Sequence, residues 1–116
     1  MGLLSKLLGP KQPVSSQQAV LVHFTLGLKP NGDQFEFDDM VDLEDKLIAV
    51  IDRHRVGELD GNEIGATDGT IFTYGPDASR LFTAVEPVLR AHPLCRGARV
   101  VIRKGGPGSP ETEVQL

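Results

Sequence analysis

The chain has no tryptophan, a single tyrosine and a single cysteine. One thiol, Cys95, excludes an intramolecular disulfide and a zinc centre built from several thiolates, and a reducing, cytoplasmic compartment fits that economy. Long apolar runs are missing as well. Leu3, Leu4, Leu7 and Leu8 are interrupted by Lys6 and stop at Pro10. That stretch is too short for a signal-peptide core or a bilayer span, and Lys6 stands where a myristoylation signal needs a hydroxyl residue. No excess of cations is present: 12 Lys and Arg face 16 Asp and Glu, for a net charge of −4. This balance speaks against affinity gained by neutralising duplex phosphates and permits a basic partner. The three histidines, His23, His54 and His92, fall at no metal-ligand spacing, and no cofactor motif is found, so neither a metal nor a cofactor is expected.

What is present fits one hydrophobic core. A chain of 116 residues with 40% hydrophobic and 24% charged residues has the size and balance of an ordinary globular domain. Residues 1–17 read as a short amino-terminal helix and a linker through Pro13, Ser15 and Ser16. Residues 18–104 form a single domain, and 105–116, opening on Gly105-Gly106-Pro107-Gly108, form a flexible tail or an edge strand.

Within the domain, Val20, Val22, Phe24 and Leu26 alternate along Gln18 to Leu28 and predict a strand with one strongly apolar side. Lys29 to Asp33 breaks it with turn residues. Met40, Leu43, Leu47, Val50 and Ile51 recur at helical spacing over Asp38 to Arg55, with acids at the start, Arg53, His54 and Arg55 at the end, and Gly57 as the stop. Val56 to Ile64 and Thr70 to Tyr74 predict a hairpin with a loop of about five residues, and Asp60-Gly61 predicts a bulge. Asp77 is placed to cap a second helix running to about Ala91. Its buried side is Leu81, Phe82, Val85, Val88 and Leu89, its interior holds Pro87 with a kink near Thr83, and His92-Pro93 ends it. Ala98 to Lys104 alternates as a half-exposed strand, and Glu113 to Leu116 alternates enough for a short last one.

Strand, helix, strand, strand, helix, strand with right-handed crossovers packs most simply as a ferredoxin-like α+β sandwich. Its four-stranded antiparallel sheet carries both helices on one face. The other face is then left for water, a ligand or a second copy. On this reading His23, Thr25, Phe72, Tyr74, Arg99, Val101 and Arg103 lie on the open face, two aromatics beside two arginines. A one-residue shift of the third strand would instead bury Phe72 and Tyr74 and turn Ile71 outward. Glu58, Asp60, Glu63 and Asp68 make an acidic hairpin, read as a solvated edge that discourages strand pairing or as a binding surface. Cys95 lies near Arg96, which could lower a thiol pKa, but no nucleophile motif surrounds it.

Asp60-Gly61-Asn62-Glu63-Ile64-Gly65, Tyr74-Gly75-Pro76-Asp77-Ala78, Leu81-Phe82 and Glu86-Pro87-Val88-Leu89 together resemble a group of small uncharacterised bacterial proteins, over roughly Val56 to Lys104. The resemblance implies a bacterial origin and a shared fold and brings no activity with it. With no catalytic constellation in the sequence, the expected role is a non-catalytic binding module. It would hold a protein partner or a second copy of itself as a homodimer, in the manner of small acidic proteins that neutralise a basic partner. A small-ligand sensing dimer is one alternative. Single-stranded RNA stacked on Phe72 and Tyr74, with Arg99 and Arg103 on phosphates, is another, although the acidic balance makes nucleic acid the weaker partner.

Overall fold

A computed structural model describes residues 17–27, 32 and 34–116. The short helix and linker expected over 1–17, apart from Gln17, and most of the turn expected over 29–33 lie outside the described residues. The elements are β1 (Gln18–Thr25), α1 (Phe37–His54), β2 (Glu58–Ile64), β3 (Asp68–Gly75), α2 (Ala78–Ala91), a 3₁₀ turn (Pro93–Cys95), β4 (Arg99–Arg103) and β5 (Glu111–Gln115). The strands form one antiparallel sheet in the order β2-β3-β1-β4-β5. Five strands stand where four were expected with an uncertain fifth.

β1 occupies the middle because its odd and even residues serve different faces. Val20, Val22 and Phe24 join Ile71, Val100 and Ile102 in a core closed by Met40, Leu43, Leu47, Val50 and Ile51 of α1 and Leu81, Val85 and Leu89 of α2. Leu26, beyond the strand, packs against that core only in part, and Phe82 and Val88 sit half-buried at the flank of α2 rather than in the core. Each of the larger aliphatic side chains contributes about 1.5–3 kcal/mol through its removal from water. Thr73 shares the helix-facing side of β3 and is made acceptable there by its hydroxyl, which donates to the Val20 carbonyl at 2.6 Å.

The helix ends follow from local chemistry. At the start of α1, Glu36 and Asp39 form a reciprocal capping box, with the Glu36 amide donating to Asp39 Oδ2 at 2.7 Å. Its end falls where expected, but the residue that closes it differs. Arg55, not Gly57, takes the left-handed conformation at φ 53°. Its amide and that of Val56 close the helix onto Asp52 and Ile51 in the paired bonds of a Schellman turn. Gly57 is required for another reason: a Cβ there would strike the Tyr74 carbonyl where β2 meets the end of β3. Asp77 caps α2, accepting from the Ser79 and Arg80 amides at 3.0 and 3.2 Å. The helix runs on through Pro87 to Ala91, with His92 as its last cap.

In the hairpin, Leu59 faces Thr73 and Gly61 faces Phe72, leaving Asp60 as the extra residue of a bulge. The connection is tighter than expected: β3 begins at Asp68, and Gly65 donates to the Asp68 carbonyl at 2.8 Å. β4 is not half-exposed. Val101 retains 4% and Arg103 9% of their exposure, because β5 pairs along the outer edge of β4 and makes it an interior strand. The turn over 105–110 that delivers β5 is held by a hydrogen bond from Ser109 to Gly106 at 3.0 Å, and Leu116 closes the strand by donating to Ala98 at 2.9 Å.

Two substitutions test this packing by urea unfolding. Leu81→Ala, which empties a fully buried site, is expected to cost about 2–5 kcal/mol. Arg55→Gly is expected to stabilise by about 0.5–1 kcal/mol, since it relieves the left-handed strain of a residue that carries a Cβ. A loss of stability in the second variant would contradict the assigned helix end.

Candidate functional site

The sheet face turned away from the helices can be read as three rows across β2, β3, β1, β4 and β5. The first is Glu58, Tyr74, Ala19, Arg103 and Glu111. The second is Gly61, Phe72, Leu21, Val101 and Glu113. The third is Glu63, Thr70, His23, Arg99 and Gln115. Thr25 and Asp68 oppose each other at the exposed end of the same face. All seven residues expected on the open face therefore lie there, and Ile71 points into the core. The expected display of aromatics is not found, however. Phe72 and Tyr74 are half-buried, Phe72 in register with Gly61 and Leu21 and Tyr74 with Glu58 and Ala19 on the neighbouring strands.

The arginines are not free for an outside anion. Arg99 Nη1 pairs with Glu113 Oε2 at 2.8 Å, and Arg103 Nε donates to the Gly105 carbonyl at 2.9 Å. The Nη2 of Arg103 is buried without a hydrogen-bond partner. Burial, with the Arg99 charge second, lowers the pKa of His23, whose Nδ1 lies 2.9 Å from Thr70 Oγ1. Tyr74 is raised by burial first and by the Asp60 carboxylate second. The acidic hairpin does not converge on one point. Glu58 and Glu63 face the open side, Asp60 sits in the bulge, and Asp68 is at the far end. Among the described residues no group of three His, Cys, Asp or Glu side chains could hold a metal ion.

Cys95 is sealed in the core, and burial pushes its thiol up to about 12. Arg96 beside it is exposed and gives it no help, so the lowered pKa considered from sequence is overturned.

A second feature was not visible in the sequence. Between the outer sides of α1 and α2 runs a valley of about 820 Å³, with Phe35, Val50, Pro87 and Val88 among its apolar walls and Asp42, Lys46, Arg53 and His92 among its polar ones. At one end His92, almost fully buried, lies with Nε2 3.0 Å from Asp42 Oδ2, and Lys46 Nζ meets the same oxygen at 3.0 Å. These two hydrogen bonds, Lys46 first, hold the Asp42 carboxyl below its usual value. His92 Nδ1 accepts the Leu94 amide at 3.2 Å, so the proton sits on Nε2 and the ring has no lone pair left for a substrate. The array fastens the end of α2 to α1 and is not a general base. The i, i+4 spacing of Asp42 and Lys46 was legible in sequence; the arrival of His92, fifty residues away, was not.

Compared with protein families, with curated proteins and with solved structures, the chain matches none. Among the described residues no helix is long and apolar enough to cross a membrane.

Two measurements follow from these environments. Cys95 is expected to resist iodoacetamide in the native protein at pH 8 and to react fully in urea; rapid native labelling would contradict its burial. His23 loses its proton more readily when folded than when unfolded. Its contribution to stability is therefore present above its ordinary pKa of 6.5 and is lost as the pH falls below it. The melting temperature is expected to drop between pH 7.5 and 5.5, and His23→Gln is expected to flatten part of that slope.

Proposed function

We propose that the protein is a non-catalytic binding module that holds a basic protein partner against the open face of its sheet, with a ferredoxin-like βαββαβ framework extended by β5. One observation carries this reading. Glu58 and Glu63 of β2 and Glu111 and Glu113 of β5 line the two margins of the face, while the guanidiniums between them, Arg99 and Arg103, are engaged within the protein. Four carboxylates outnumber the two guanidiniums. With Glu113 paired to Arg99, the acidic excess at the margins rests on Glu63 and Glu111, so the face presents negative potential around a half-buried apolar centre of Leu21 and Phe72. That arrangement steers a cationic surface and offers it an apolar contact once it arrives.

The same pattern weighs against the competing readings. An RNA backbone would meet carboxylates at both margins, and the arginines that were to hold its phosphates are already bonded. A second copy docking margin to margin would set glutamates against glutamates, which disfavours a homodimer built on the sheet edges. The sealed thiol and the net negative charge suit a cytoplasmic setting.

The test is a titration of ¹⁵N-labelled protein with a lysine- and arginine-rich peptide containing one phenylalanine, and with its glutamate-rich counterpart. The basic peptide is expected to shift amides of β2, β3 and β5, to weaken with salt, and to lose about threefold in affinity for each of Glu63→Gln and Glu111→Gln, the scale of an exposed ion pair. Shifts confined to the helices, or equal response to the acidic peptide, would contradict the proposal.

A further inference from the structure

We infer that the valley between α1 and α2 is a binding site for a medium-chain fatty acid, whose carboxylate pairs with Arg53 and whose tail lies over Val50, Pro87 and Val88 toward Phe35. This inference is independent of the sheet-face reading. The valley lies on the opposite side of the molecule, behind the helices that cover the other face of the sheet.

Its volume of about 820 Å³ falls within the range of small-molecule sites, roughly 300–1,000 Å³. Asp39, Asp42, Lys46, Ala49 and Arg53 recur at intervals of three and four along α1 and so form one stripe of that helix, running beside the carboxyl-terminal half of α2. The span from Asp42 to Arg53 is roughly 16 Å at the rise of an α-helix, which suits an extended aliphatic tail rather than a compact ring.

The charges decide the head group. At the far end Asp42 is held by both Lys46 and His92, and Asp39 accepts the Glu36 amide. Lys46 is committed to Asp42. Arg53 makes no ion pair or hydrogen bond with any described residue, and it stands at the opposite end of the valley. The walls therefore offer apolar surface and one uncommitted guanidinium. A guanidinium fork matches a carboxylate with two parallel hydrogen bonds. A neutral lipid would leave that donor set unused, and a cationic amphiphile would be repelled from it.

The experiment titrates the full chain, ¹⁵N-labelled, with decanoate below its micellar concentration, and in parallel with decanol and with decyltrimethylammonium. Decanoate is expected to give saturable shifts confined to residues 46–53 and 87–93. It is expected to bind about tenfold more tightly than decanol, the scale of a charge-assisted hydrogen bond, and Arg53→Gln should erase that preference. Ala49→Asp, at an exposed helix position, is expected to block decanoate and decanol alike while Arg53 stays intact. The inference is overturned if decanoate and decanol bind equally, if the cationic amphiphile binds best, if the shifts spread over the open sheet face, or if no saturable shift is seen.

Discussion

The strictest constraint in this fold is imposed on β1, which must satisfy neighbours on both edges and occupants on both faces at once. Its backbone pairs with β3 on one side and β4 on the other. Val20, Val22 and Phe24 then have nowhere to go but under the helices, and Ala19, Leu21 and His23 nowhere but the other face. A register slip of one residue would carry the whole inward set to the outside, so the parity of β1 fixes the parity of every strand paired to it. The helices depend on the same choice, since the buried stripes of α1 and α2 have no other apolar surface to cover.

This dependence explains which parts of the fold could be read from the sequence. Alternation in β1, helical spacing from Met40 to Ile51, and the Asp77 cap are local signals, and each produced the element it announced. The facing of Phe72 and Tyr74 was legible only through the inward set of β1 and the hairpin that pairs with it. β5 was ambiguous because a strand of alternating Glu, Thr and Val carries little apolar signal of its own; what orders it is the free edge of β4. The burial of Val101 and Arg103 follows from that pairing and so was equally hidden. The end of α1 was placed correctly but its stop was assigned to the wrong residue, because glycine is the usual left-handed residue, and here Arg55 adopts the conformation while Gly57 is held by a steric requirement two residues later.

The candidate surfaces divide along the same line. The sheet face could be assembled from sequence, since period-two alternation names its residues, although the commitments of Arg99 and Arg103 depend on β5 and on the turn before it. The interhelical valley could not, because it is defined by the gap between two amphipathic helices and by His92 reaching Asp42 across fifty residues. In both places some charges are paired within the protein and others, among the described residues, are left over, acidic at Glu63 and Glu111 and cationic at Arg53. That remainder is what gives each surface a chemical preference.

The parity of β1 is open to direct observation by nuclear Overhauser contacts from the Phe72 ring. Strong contacts to Leu21 and Gly61, with none to Leu43, Leu47 or Leu81, are the result this account requires. Contacts from that ring to the leucines of the helices would mean that the sheet presents its other side to them, and the open face described above would not exist.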